Sequence, residues 1–378
     1  MAHYNTILNQ ITAILPRHEF ECLAQTHHVG QKFRSFNRWS QFLAMMIAQL
    51  SSRKSLRDLT DNLKAQANKL YHLGMRKTSR ATLARVNDKQ PAELYKVMFY
   101  KLLERCQQHA PKHKFKFKGK LFLLDATTIK LCLSIFPWAK FRKTKGAIKL
   151  HVGLDADGYL PSFMTMTDGK GHEVQWAKAL NLPKGSCVVF DRGFTDYTWY
   201  ESLMSNGIFF VTRLKSNALV QYFKNRPGRK STGVTMDRQI QLGDIPQKLR
   251  LIAYTDPETG IEYRFVTNAD HLQAKTIADL YKERWQIELF FKWIKQNLKI
   301  KTFLGTSQNS VLTQIWIALC VYLILAYLKF TAKIGISMQQ ILRILQLNLF
   351  ERRDLLALLK PPKQKQPTIR QFLLWGNL

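Results

Sequence analysis

At 378 residues the chain is long enough for two or three domains. Its 46% hydrophobic content supplies a large core and excludes general disorder. Lysine and arginine number 58 against 26 aspartate and glutamate, a formal net charge of +32, and an excess of that size repels itself in a compact fold unless a polyanion lies against it. Nucleic acid leads as that polyanion. An anionic membrane comes second, because the cations are spread along the chain and not gathered on one amphipathic helix. Five cysteines, Cys22, Cys106, Cys132, Cys187 and Cys320, lack zinc-like or CxxC spacing, and "MAHYNTILNQ" lacks the regions of a signal peptide. Both fit a reduced, cytoplasmic protein.

Residues 1–110 read as helical. "YNTILNQITAIL" and "RWSQFLAMMIAQL" carry apolar residues at helical spacing. "SLRDLTDNL" begins with Ser55 and sets Asp58 three residues on, a capping-box spacing. After "HLGMRKT", Ser79 is placed to cap a short helix over "RATLARVND". Two short helices joined by a glycine-containing turn fit a DNA-reading helix-turn-helix, and they fit an ordinary helical hairpin equally well. "HAPKHKFKFKGK", residues 109–120, is basic and lacks helical period, as expected of a linker able to touch phosphates.

The pattern then changes. "LFLLDATTI" is a short apolar run ending in an acid, the mark of a buried strand. "AIKLHVGLDADGYLPSFMTMT" alternates around the turn "DADG" and reads as a hairpin. A helix over "VQWAKALNL", a strand over "CVVFD", a helix over "YTWYESLMSNG" and a strand over "IFFVTRL" follow. Together they predict an α/β fold with a mixed sheet. Residues 216–266 read as a β-rich insertion, with turns at "NRPGRK" and "DPETG". "IWIALCVYLILAYL", 315–328, is shorter than the roughly 18–20 residues that span a bilayer, so it predicts a buried helix and no membrane crossing. Residues 331–378 are expected to be helical, with a basic tail at "LKPPKQKQPTIR".

Within "YKERWQIELFFKWIKQNLKI", Tyr281, Arg284, Trp285, Glu288, Lys292 and Lys295 fall within an arc of roughly 100° of one helix. Leu280, Ile287, Phe290, Phe291, Ile294 and Leu298 occupy the other side. One acid in a cationic, aromatic stripe reads as a solvated ion-paired face when taken alone. Asp125 and Asp191 each follow a predicted buried strand, where α/β proteins place their sites; an acid there also serves to cap a turn. Asp125, Asp191 and Glu288 together are able to hold two divalent ions of the Mg²⁺ type for phosphodiester cleavage. On that reading the cations of the stripe hold DNA phosphates.

The spacing Tyr281, Arg284, Glu288, Lys295, with "LLDATTIKL" around Asp125 and "VVFDRGFTDY" around Asp191, resembles the DDE transposases of the insertion-sequence-four family. The resemblance covers residues 118–330 well. It implies a ribonuclease-H-like catalytic domain at 111–330, interrupted at 216–266 and preceded by a helical DNA-binding region at 1–110. It also implies Asp125, Asp191 and Glu288 as catalytic metal ligands. Tyr281, Arg284, Trp285, Lys292 and Lys295 are the expected DNA contacts. Mg²⁺, replaceable by Mn²⁺, is the implied cofactor. The implied partners are double-stranded element ends and target DNA, bound by a homodimer on paired ends at the bacterial nucleoid. Cleavage through a hairpin end is part of the family pattern. A repurposed DNA-binding protein, or a nuclease without strand transfer, is the alternative.

Four further features carry weaker expectations. "LDADG" (Asp155, Asp157) is a turn and not a calcium loop. Glu173, after His172, is expected at a helix N-terminus, with assistance to the metal site as its second role. His151 is a satisfied strand residue. Lys140, Arg142, Lys143 and Lys145, beside Trp138 and Phe141, are expected to touch the DNA backbone.

Overall fold

The computed structural model of the chain describes residues 5–30, 36–142, 145–169, 173–226, 233–298, 300 and 302–360. Most of the "NRPGRK" turn, Lys143, His172 and nearly all of the basic tail lie outside the described residues, as do the side chains of Phe141, Arg142 and Lys145.

The N-terminal region is helical as expected: α1 (Ile7–Thr12), α2 (Arg17–Thr26), α3 (Arg38–Leu50), α4 (Leu56–Ala65), α5 (Ala67–Leu70), α6 (Arg80–Lys89) and α7 (Glu93–Gln107). The two predicted caps form. Ser55 Oγ accepts from the Asp58 amide at 3.1 Å, and Ser79 Oγ from the Thr82 amide at 3.1 Å. Residues 66–79, between α4 and α6, hold α5 and a 3₁₀ turn. A helix-turn-helix joins its helices by three or four residues, so this pair has the longer hairpin geometry.

The sheet is built from β1 (Leu121–Leu131), β2 (Lys140–Arg142), β3 (Lys145–Asp155), β4 (Leu160–Asp168), β5 (Cys187–Phe190) and β6 (Phe209–Arg213), with α8 (Glu173–Lys178) and α9 (Tyr197–Ser205) in the crossovers. β1, β3 and β4 form an antiparallel meander, and β5 and β6 run parallel to β1 on its other side. This order, with the first strand inside and a meander on one flank, is the ribonuclease-H-like arrangement. Alternation along β1 divides the core. Leu121 and Leu123 join the helices of the N- and C-terminal regions, whereas Phe122 and Leu124 join Trp199, Tyr200 and Leu203 of α9.

The stretch 216–266 does not stand apart from this sheet. It contains β7 (Val220–Asn225), β8 (Val234–Leu242), β9 (Leu249–Thr255) and β10 (Glu262–Thr267). β10 pairs antiparallel with β6, and β9, β8 and β7 follow in order. The open edge of β6 is thereby hydrogen-bonded and not left bare.

The chain ends in α10 (Ala274–Glu283), α11 (Trp285–Asn297), α12 (Gln308–Thr331), α13 (Met338–Asn348) and α14 (Leu355–Leu359). α12 outruns the predicted apolar stretch and is long and apolar enough to cross a membrane. It lies inside the protein instead, packed on α3, α6, α7 and α13. α1 meets the segment before α14, where the Ile7 amide donates to the Glu351 carbonyl at 2.9 Å. One apolar cluster therefore runs from Ile7 to Leu359, through all three expected regions.

Candidate active site

β1 is longer than its apolar run, so Asp125 lies within the strand and not at its end. The parallel ladder between β1 and β5, however, stops at Leu124↔Phe190. Asp125 and Asp191 are the next residues on the two strands, and adjacent strands lie roughly 4.8 Å apart. Leu124 and Phe190 point into the α9 layer. Alternation turns Asp125 to the opposite face, the one on which α11 packs.

The expected single helix over Tyr281–Ile300 breaks at Arg284. There the bonds shorten to three residues, Arg284 amide to Tyr281 carbonyl and Ile287 amide to Arg284 carbonyl, both 3.1 Å. The amphipathic division survives the break. Leu280, Ile287, Phe290, Phe291, Ile294 and Leu298 are all buried. Trp285 is 57% exposed, Lys292 is exposed, and Tyr281, Arg284, Glu288 and Lys295 are half-buried.

The Arg284 guanidinium joins the acids. Nη1 lies 3.1 Å from Asp125 Oδ2, and Nη2 pairs with Glu288 Oε1. Asp125 Oδ1 also accepts from the Ala126 amide at 2.7 Å. Asp191 Oδ1 accepts from the Gly193 amide at 2.8 Å. Lys295 Nζ donates to Thr127 Oγ1, on the same strand as Asp125. Tyr281 stacks at 4.8 Å on Phe265, and Arg284 lies 5.8 Å from the centre of the Tyr281 ring. Burial pushes the Asp125 carboxyl up to about 6, and the nearby Asp191 and Glu173 charges push the same way; the Ala126 amide and Arg284 oppose them. Among the described residues, no three acids, histidines or cysteines close on one cation-sized point. Arg284 holds two of the carboxylates, and Asp191 faces its own loop.

Glu173 takes the place at a helix N-terminus expected of it. It opens α8, and its carboxylate pairs with Lys149 at 2.8 Å. A Cβ on Gly193 would stand 2.9 Å from Asp191 Oδ1 and 3.2 Å from Glu173 Oε2, so the two acids flank one glycine with no space to spare. Arg213 was not among the candidates read from the sequence. It ends β6 with its guanidinium 5.1 Å from the Tyr263 ring, and its charge acts on Tyr281. The strand-end rule that selected Asp191 also points to it.

The expected turn at "LDADG" forms. Asp155 and Asp157 clamp Lys120 at 2.8 and 2.7 Å, and Asp157 also holds Lys112 at 3.0 Å, so the "LDADG" turn anchors the basic linker. His151 is buried but only half satisfied: its Nε2 lies 2.9 Å from Thr167 Oγ1 while its Nδ1 finds no partner among the described residues, and burial lowers its pKa to about 4. Trp138 donates to the Thr306 carbonyl at 2.8 Å, while Lys140 is exposed. All five cysteines are free thiols.

Comparison with known proteins bears on the same segment. Residues 116–324, from just before β1 into α12, match the family model of the transposase DDE domain. Residues 3–76 match a domain family of unknown function. The putative transposase y4zB of Sinorhizobium fredii is 33% identical over 295 residues, covering 74% of this chain and 80% of that protein. The probable transposase for insertion sequence element IS5377 of Geobacillus stearothermophilus is 26% identical over 334 residues, 87% of this chain and 86% of that one. The putative transposase for insertion sequence element IS4SA of Synechocystis is 25% identical over 284 residues, 72% and 78% of the two chains. With over half of its length matching the transposase DDE domain and a relative one-third identical across most of both chains, this chain belongs to the DDE family of DNA transposases.

Proposed function

We propose that this transposase binds the terminal inverted repeats of its own insertion sequence as a homodimer on paired ends, cleaves them with Mg²⁺ and joins the freed ends to target DNA. The observation that supports the reading most strongly is the register of β1 and β5. It sets Asp125 beside Asp191, while Arg284 ties Glu288 of α11 to Asp125.

Asp125, Asp191 and Glu288 offer only carboxylate oxygens, the donor set that suits Mg²⁺ and Mn²⁺. Arg284 is the one cation bonded to both Asp125 and Glu288 among the described residues, and a divalent cation would suit the carboxylates once Arg284 turns to a phosphate. Two such ions, when bound, would activate the attacking water and stabilise the leaving oxygen. The chain's own residues do the positioning. In this reading Arg284 exchanges its carboxylate partners for a phosphate as DNA arrives. Lys295, braced on Thr127, and Tyr281, braced on Phe265, hold the backbone beside the cut. Lys292 adds charge at the rim, and the exposed Trp285 ring offers a stacking surface to a displaced base.

The test uses a labelled duplex carrying the inverted repeat that flanks the coding sequence, with and without Mg²⁺. Nicked, hairpin and joined products are expected only with the metal. Asp125→Asn, Asp191→Asn and Glu288→Gln should each remove cleavage while leaving binding, because phosphate contacts come from cations over a wide surface. A variant that cleaves at near the parental rate overturns the assignment of that residue. Binding with no metal-dependent product reduces the chain to a DNA-binding protein.

A further inference from the structure

The Arg284 guanidinium stands where two of the three acids would share a cation. It comes from the junction of α10 and α11 and splits its fork. Nη1 donates to Asp125 Oδ2 at 3.1 Å, and Nη2 donates to Glu288 Oε1. Nε is buried and has no partner among the described residues. A guanidinium presents its donors as a planar fork that fits one oxyanion in bidentate fashion. Spread over two carboxylates from different elements, this fork leaves a buried donor unused, a poorer seat than a phosphate would offer. The acids are equally committed. Asp125 Oδ1 accepts from the Ala126 amide at 2.7 Å, and Asp191 Oδ1 accepts from the Gly193 amide at 2.8 Å. Both Asp125 oxygens therefore have donors, and one of those donors is Arg284. Arginine keeps its charge across the ordinary pH range, so no proton change frees the acids; an anion that accepts the fork does. The approach for such an anion is open, because Trp285, next in the chain, and Lys292, about two turns on, are exposed.

We propose that this contact is autoinhibitory. In the DNA-free chain Arg284 competes with a divalent cation for Asp125 Oδ2 and Glu288 Oε1, and a DNA phosphate relieves the competition by taking the guanidinium. The inference rests on the reading above that the acids hold a divalent ion and that DNA is the substrate, and it adds an order: the site is loaded on DNA and not before. A guanidinium within hydrogen-bond distance of an oxygen repels a dication on that oxygen, and a half-buried site screens the repulsion weakly. Because both ligands act on the same arginine contact, their coupling is reciprocal. The factor by which DNA raises the affinity for metal is the factor by which metal raises the affinity for DNA. The free chain is thereby held idle, and metal-dependent cutting is confined to bound DNA.

The test uses Mn²⁺ as the probe, with the full chain and an inverted-repeat duplex that ends at the cleaved position, which leaves nothing to cut. Free Mn²⁺ is read from its electron paramagnetic resonance signal, with the duplex alone as the blank. The duplex should raise the Mn²⁺ affinity of the parent by about tenfold or more, within the range usual for coupled sites. Without DNA, Arg284→Gln should bind Mn²⁺ about tenfold more tightly than the parent, and the duplex should then add less than about threefold. Arg284→Lys keeps the charge but has no fork to span two acids, so it should fall between the two. Lys292→Gln removes a nearby charge that is bonded to neither acid among the described residues. On a log scale it should move each quantity by less than half as much, which separates the bonded contact from the general field. Asp125→Asn/Glu288→Gln should lose the Mn²⁺ site with and without DNA. A parent whose Mn²⁺ affinity is the same in both states overturns the autoinhibition, and so does coupling that survives Arg284→Gln. Mn²⁺-dependent cleavage of an intact end by the same preparation leaves the transposase reading standing in either case. No Mn²⁺ bound in either state, together with no cleavage, overturns both. Equal circular dichroism of parent and variants shows that the fold is kept.

Discussion

At the scale of single residues, Asp125 carries a cost that the role proposed for it would explain. Burial raises its carboxyl to about 6 from an ordinary value near 3.8. The folded state therefore resists ionisation. Below about pH 4 both states are protonated and nothing is lost; as pH rises through 4 to 6 the unfolded chain ionises first, and stability falls. Above pH 6 the full penalty is present, on the order of 2–3 kcal/mol. In EDTA, Asp125→Asn should consequently melt higher than the parent at pH 7.5, and the two should converge near pH 4. Mg²⁺ should raise the melting temperature of the parent alone, more at pH 7.5 than at pH 5, since metal and proton compete for the same oxygens. Parallel melting curves for parent and variant across that range contradict the account. Trp285 presents the reverse case. More than half of it is exposed, so Trp285→Ala should alter stability by no more than about 0.5 kcal/mol. It should leave first-strand nicking mostly intact and slow the following step, because stacking a displaced base is worth about 1–3 kcal/mol. An abasic nucleotide near the end should partly restore that step; equal slowing of both steps would count against a stacking role.

At the scale of elements, the break between α10 and α11 sets the site. Arg284 occupies the junction, and Glu283 beside it is buried. The Glu283 carboxylate accepts from the Tyr159 hydroxyl and pairs with Lys114 at 2.6 Å. Tyr159 follows the β3–β4 turn, so the meander holds the helix junction directly. Tyr159→Phe removes one bond to a buried charge and should cost about 1–3 kcal/mol, measurable by denaturant titration. Cleavage should fall several-fold more than DNA binding, because loosening the junction displaces Arg284 and Glu288 relative to Asp125. A variant whose stability and cleavage both match the parent shows that the clamp is dispensable. The helical stripe itself was legible in the sequence because its six apolar residues repeat at helical period. The break at Arg284 was not, because no glycine or proline marks it.

At the scale of the whole molecule, the parts are not independent. α12 runs through the protein with α3, α6 and α7 on its sides, and the N-terminal segment bonds to residues just before α14. A fragment of residues 1–110 removes α12 and exposes one side of each of those helices. It should show no cooperative melting transition, whereas the full chain should. A fragment that melts cooperatively would support a domain boundary near residue 110 and contradict this account. The sequence by itself determined most of the elements and the family. Apolar periodicity is a local property, so α3, α11, the β3–β4 hairpin and the capping serines Ser55 and Ser79 were readable, and so were the acids and the Tyr-Arg-Glu-Lys spacing. Only the tertiary structure decided that the 216–266 strands extend the main sheet and which helices enclose the apolar one, whose burial its length had already predicted. It also decided that Glu173 and Asp191 flank Gly193 and that Arg213 lies by the Tyr263 ring. Those outcomes depend on which strand edges and helix faces meet across the chain, and pairing between distant segments leaves no periodic mark in either one.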